Sequence, residues 1–185
     1  GLAAGGAMTA LGRLAAPAFA QALPRVQQAL RGAACDLSIG ATVMNFTGTP
    51  KTALAINGSI PGPLLRWRQG DTVTLRVRND LDEDTSIHWH GIILPANMDG
   101  VPGLSFHGIR PRAAYNYRFQ VKQAGTYWYH SHSGFQEQRG PYGPLVIDPL
   151  EPDPIRSDRE HVILLSDWTD ESPERVFAKL KKKSD

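Results

Sequence analysis

Two segments of this 185-residue chain place chemically useful side chains at a fixed spacing: His88-Trp89-His90-Gly91 and His130-Ser131-His132. Together they hold four of its six histidines. Random placement would give roughly 0.2 His-x-His pairs, so two are not an effect of composition. On a strand, positions i and i+2 project to one face about 6.6 Å apart. Each pair can therefore turn two imidazoles toward one metal, or toward two neighbouring metals, while Trp89 and Ser131 face away. Neutral imidazole is a good ligand for copper, zinc, iron and nickel, so the pairs indicate a metal without naming it. The flanking residues narrow the class. A zinc hydrolase of the His-x-His-x-Asp-His type needs Asp-His where this chain has Gly91-Ile92-Ile93, and a cupin needs a glutamate where Ile93 and Leu94 stand.

The elements that must carry these pairs are short strands. Eighteen Gly and fourteen Pro punctuate runs rich in Val, Ile, Thr, Tyr and Trp, which favours an all-β fold, a sandwich or barrel. Alternation predicts an opening pair of strands at 36–39 and 42–46. A strand at 53–56 runs into the hairpin signal Asn57-Gly58, followed by an extended Ile60-Pro61-Gly62-Pro63. Thr72 to Arg78 alternates cleanly, with Val73, Leu75 and Val77 facing the core. Further strands are predicted at 86–94, 115–121, 126–132 and 144–147. The proline- and charge-rich stretch 151–160 reads as a linker, and the strand-like 161–165 opens a new unit. The expected organisation is a partial signal peptide at 1–20, an N-terminal bridge at 21–35, helical in part, and one domain at 36–150. The linker and the start of a second domain at 161–185 follow.

Hydrophobic content of 41%, charged content of 21% and a net charge of +2 describe an ordinary globular chain, with no basic excess to suggest a nucleic-acid partner. Residues 1–20 are small and apolar and end on Ala18-Phe19-Ala20, which reads as the end of an export signal, and the run is too short for a membrane span. The single cysteine, Cys35, cannot close an intramolecular disulfide and reads as a small, partly buried thiol before the first strand. Trp89, Tyr127, Trp128 and Tyr129 read as packing around the ligands. His107 and His161 lack a partner at ligand spacing, and Met8, Met44 and Met98 form no thioether cluster. The run Lys179-Leu180-Lys181-Lys182-Lys183 reads as a solvated helix face.

The segments IHWHGI, DGVPG, GTYWYHSHSGFQEQ and YGPLVI resemble the first domain of the multicopper oxidases, and NMDGVPGLSF resembles their bacterial periplasmic copper-resistance branch. The resemblance runs from Leu37 to Trp168. It implies a cupredoxin-type Greek-key β-sandwich or barrel and a share in a three-copper cluster that reduces dioxygen to water. His88 would ligate the type 2 copper, and His90, His130 and His132 the type 3 pair. The other four cluster histidines and the Cys, His and Met of the type 1 copper would come from C-terminal domains of the same polypeptide that this sequence lacks. Asp99 falls where the family has an aspartate that assists proton delivery to oxygen. The parent protein is then expected to be a periplasmic oxidase of cuprous ion or phenolics serving copper resistance, exported by a twin-arginine-type signal. The alternative is a copper-binding module that uses the histidine pairs without turnover. Two positions depart from the family pattern: Pro111-Arg112 stands for a usual Pro-Gly turn, and Arg139-Gly140-Pro141-Tyr142 carries an unusual proline.

Overall fold

The computed structural model describes residues 29–152 and 154–182. Nine strands form two sheets that face each other across one apolar core. One sheet contains β1 (Leu30–Arg31), β4 (Leu65–Arg68), β9 (Tyr142–Asp148), β8 (Gly125–His130) and β6 (His88–His90), in that spatial order. The other runs β3 (Lys51–Ile56), β2 (Ala34–Met44), β5 (Thr72–Asn79) and β7 (Ala114–Gln120). The all-β, cupredoxin-type expectation is met, with a single α-helix among the described residues, α1 (Pro173–Lys182), following the sheets. No helix among the described residues is long and apolar enough to cross a membrane.

Alternation decides which side chains enter the core. In β5, Val73, Leu75 and Val77 are buried, as expected, and the antiparallel partner β7 adds Tyr117 and Phe119 on the same face. Trp67, Leu145 and Ile147 meet them from the opposite sheet. In β3 four successive residues, Ala53 to Ile56, are buried, because both its faces are covered. Leu54 and Ile56 join the main core, and Ala53 and Ala55 lie with Ile60 under Trp168.

Several expected boundaries move. The opening pair is one strand of eleven residues, β2, because its two halves pair differently: Ala34 to Ile39 runs parallel to β5 and Ile39 to Met44 antiparallel to β3. The break in alternation at Gly40-Ala41 marks a change of partner, not a turn. Cys35 therefore lies inside the first long strand, half-buried against the core, rather than before it. The Asn57-Gly58 turn forms, but beyond it only Ser59 bridges back to Ile56, since the following prolines cannot donate to a ladder. The expected bridge at 21–35 contributes β1 and the start of β2, while 21–28, the leader at 1–20 and Met8 lie outside the described residues.

Residues 161–165 form no strand, and Ile163 and Leu165 are 79% and 89% exposed. The chain just beyond it instead packs back against the β-sandwich. Ser166 bonds to the Tyr142 hydroxyl at 2.8 Å and the Trp168 ring packs 4.9 Å from that of Phe46. Helix α1 carries Lys179, Lys181 and Lys182 on its last turn, favourable beside the carbonyl end of the helix dipole.

Arg112 takes a positive φ of 62°, the conformation that the expected Pro-Gly turn would assign to glycine. Its strain is offset locally: the guanidinium donates to the Asp80 carbonyl at 2.9 Å and to Asp82 at 2.6 Å. The second unusual turn is tied down by Arg139, whose Nη1 lies 2.8 Å from Glu83.

Candidate metal centre

Strands β6 and β8 lie at one edge of their sheet, in a register that pairs His88 with His130, Trp89 with Tyr129 and His90 with Trp128. The pleat then sorts the residues. Trp89 and Tyr129 are fully buried in the core, where Trp89 meets the rings of Trp67, Tyr117, Phe119 and Tyr129 at centroid distances of 5.4 to 5.9 Å. The Trp89 indole N–H is buried within this aromatic cage without a hydrogen-bond partner. The other face carries His88, His90, Trp128 and His130. Packing was the expected role for the aromatic residues, and Trp128 extends it: its ring stacks on His130 at 4.1 Å and on His90 at 4.9 Å.

Ligand-competent nitrogens of His88, His90 and His130 all lie within 4.8 Å of one another. Their tautomers follow from their other contacts. His88 Nδ1 stands 2.8 Å from the Asp99 carbonyl oxygen and His130 Nδ1 stands 2.9 Å from that of Ser131. A carbonyl can only accept, so both rings carry their proton on Nδ1 and keep the Nε2 lone pair free. His130 Nε2 faces His90 Nδ1 at 3.3 Å. His132 lies past the end of β8, in a loop. Its main-chain N–H donates to Ser86 Oγ at 2.9 Å, and its ring lies 5.4 Å from His88 and 6.0 Å from His130. The expected strand at 126–132 thus stops at His130, and the fourth histidine sets its ring beside the cluster, outside the three whose nitrogens converge. His107 and His161 are exposed and belong to no such group.

Burial pushes the His130 imidazole down to about 4, and the three neighbouring histidines add to this against the opposing bond to the Ser131 carbonyl. It is neutral near neutral pH, as a metal ligand must be. Neutral nitrogens converging without a thiolate suit cupric copper, and donor type alone also admits zinc.

Asp99 closes the short 3-10 helix Ala96–Met98. Besides its carbonyl contact, its carboxylate Oδ1 lies 3.5 Å from His88 Nδ1, so the residue reaches the cluster through the far side of that ring. Two further residues lie within GTYWYHSHSGFQEQ, but neither their type nor their spacing marks them as candidates. Glu137 places a carboxylate oxygen 2.9 Å from His130 Nδ1, and burial holds its carboxyl above the ordinary range. Gln136 is buried beneath the histidine loop. Both lie on the short 3-10 helix Gln136–Arg139, and only the turn after His132 brings them under the site. Their spacing follows no ligand pattern.

A family model described as multicopper oxidase matches residues 38–152. The chain belongs to the multicopper oxidase family. Among similar members, a copper resistance protein A homolog of Pseudomonas syringae pv. tomato is 65% identical over all of this chain and 31% of its own length. Copper resistance protein A of Escherichia coli is 63% identical over 86% of this chain and 26% of its own. The chain therefore spans less than a third of these multicopper oxidase relatives. Among solved multicopper oxidases, that of Pseudomonas thermotolerans superposes with a TM-score of 0.64 at 40% identity, covering 70% of this chain and 32% of that one. A laccase from B. aclada gives 0.71 at 34% identity, covering 85% and 29%.

Proposed function

We propose that the chain supplies one half of a three-copper, oxygen-reducing centre in an exported, periplasmic copper-resistance oxidase. The observation that carries this is the convergence of the His88, His90 and His130 nitrogens within 4.8 Å in a chain of the multicopper oxidase family. In this reading His88 holds the type 2 copper and His90, His130 and His132 hold the type 3 pair. Bound copper would supply the one-electron chemistry that couples oxidation of cuprous ion or phenolics to reduction of dioxygen to water. The remaining ligands belong to further parts of a polypeptide as long as the copper resistance proteins, of which this chain matches 31% in one relative.

The chain's own residues do three things. The carbonyls of Asp99 and Ser131 orient His88 and His130 so that their free nitrogens point inward. Trp128 covers the rings of His90 and His130 on one side, with His130 buried and His90 still open to solvent. Asp99 places its carboxylate Oδ1 3.5 Å from His88 Nδ1, where it can take up and pass on a proton directly or through water.

A second reading is favoured by Cys35. The chain's one thiol lies on β2, in the other sheet from the histidines, so no cysteine stands ready for a type 1 electron-entry copper. By itself the chain then binds copper through the pairs without turnover.

Copper titration combined with oxygen-electrode measurement tests both. The 185-residue chain should bind Cu2+ weakly, lose that binding in His88→Ala and His130→Ala, and consume no oxygen beyond free copper. In the full-length polypeptide, Asp99→Asn should slow oxygen consumption while leaving copper content intact. Unaltered binding in the histidine variants would remove the metal-centre reading, and unaltered turnover in Asp99→Asn would remove the proton role.

A further inference from the structure

Gln136 is 3% exposed, and both polar atoms of its side chain are hydrogen-bonded. Its Oε1 accepts from the Thr85 hydroxyl at 2.7 Å and from the Ser131 hydroxyl at 2.8 Å. Its Nε2 donates to the Asp84 carbonyl at 2.8 Å. Thr85 lies three residues before His88 on the approach to β6, and Ser131 lies between His130 and His132. One side-chain oxygen therefore links the segments that carry the two histidine pairs, although the pairs are 40 residues apart in sequence and their backbones are partnered only where His88 meets His130, at the end of the β6–β8 ladder.

We propose that Gln136 is a positioning residue that sets the separation of the two histidine pairs and thereby their ability to share a metal. The proposal rests on the copper-centre reading and deepens it. Thr85 and Ser131 are buried, so losing the shared acceptor would leave both hydroxyl protons without a partner, with Ser131 Oγ keeping only the Ser133 N–H at 3.2 Å, and would free the two segments to part. A second tie, Ser86 Oγ to Ser133 Oγ at 3.0 Å with the His132 N–H donating to the same Ser86, is independent of Gln136. Loss of Gln136 should accordingly weaken a shared site rather than abolish it.

A crossed pair of substitutions at Thr85 separates positioning from packing. Thr85→Val keeps the volume of this fully buried side chain and removes the bond to Gln136. Thr85→Ser keeps the bond and loses a methyl group. The 185-residue chain and these variants, with Gln136→Met and Ser131→Ala, would be titrated with Cu2+ and followed by electron paramagnetic resonance, with urea unfolding measured in parallel. Thr85→Val, Ser131→Ala and Gln136→Met should bind Cu2+ about 10 to 100 times more weakly, the range for residues that orient metal ligands, with altered nitrogen hyperfine structure. Thr85→Ser should be the less stable protein yet keep the parental affinity and spectrum. If Gln136→Met does not fold, the Thr85 pair decides alone. Parental affinity and spectrum in Thr85→Val, or affinity that merely tracks stability across the set, overturns the proposal while the copper centre stands. A parent chain whose histidines bind no Cu2+ overturns both.

Discussion

Gly100 is where the loop carrying Asp99 crosses the start of β6, and replacing it with alanine tests how closely the two are pressed. A β-carbon built on Gly100 would stand 1.8 Å from the carbonyl oxygen of Ile87 and 2.6 Å from its carbonyl carbon. Ordinary contact begins at 3.4 Å, so backbone must move by more than 1 Å, and the backbone in question leads directly into His88. Gly100 also sits at φ +77°, which costs an L-residue about 1–2 kcal/mol. The displacement adds about 1–3 kcal/mol or more, as overpacking of a tight site does. Gly103, in the same loop at φ +79°, has nothing within 4 Å of an added β-carbon and should show the dihedral cost alone. Urea unfolding of Gly100→Ala and Gly103→Ala gives the difference directly, and Cu2+ titration reads its effect on His88. Gly100→Ala should be the less stable by at least about 1 kcal/mol and bind Cu2+ more weakly, with Gly103→Ala binding as the parent does. Equal stability and equal affinity in the two variants would refute the argument that this contact positions His88.

Other outcomes follow from particular contacts. Trp128 stacks 4.1 Å from His130, whereas Trp67 and Trp89 sit in the core, so Cu2+ should quench fluorescence chiefly through Trp128. Trp128→Phe should remove most of the metal-dependent quenching, and quenching that persists would place the ion elsewhere. Arg66 grips Asp148 with two nitrogens at 2.6 and 2.8 Å and holds its carboxyl below the usual range. Because the folded value is depressed, the pair's stabilisation is complete above about pH 4, where an unfolded aspartate ionises, and is lost as pH falls through the folded value. The stability gap between the parent and Arg66→Met, measured by urea unfolding, should be flat near neutral pH and shrink in acid. A gap that does not shrink would deny the ion pair its role. Burial, and then Asp36, push the Cys35 thiol up to about 11. It should resist a thiol reagent at mildly alkaline pH in the native chain and react fully in urea, and rapid native labelling would contradict that burial.

The convergence of His88, His90 and His130 was legible because strand residues follow the simplest rule, period two, which also places Trp89 and Tyr129 opposite them. The inward faces of β5 and β7 were legible for the same reason. What sequence could not show depends on contacts between distant segments. Alternation reports faces but not partners, so the change of pairing partner along β2 read as a boundary between two strands. The run at 161–165 has strand composition, yet no strand edge among the described residues pairs with it, and composition cannot supply a partner. Gln136 and Glu137 serve the histidines through a loop closure that has no periodicity, and His132 reaches the cluster from beyond its strand.

The register of β6 on β8 has a consequence for descent. A slip of one position would turn Trp89 and Tyr129 to the outside and drive imidazoles into the apolar interior, so the aromatic residues alone forbid it. Where the nitrogens land is thus decided by residues that never touch an ion. A lineage could exchange these histidines for other residues, and later recover them, while its strands stayed aligned throughout. The fold would then outlast its metal, and strand alignment in a relative would be no guide to whether that relative still holds one.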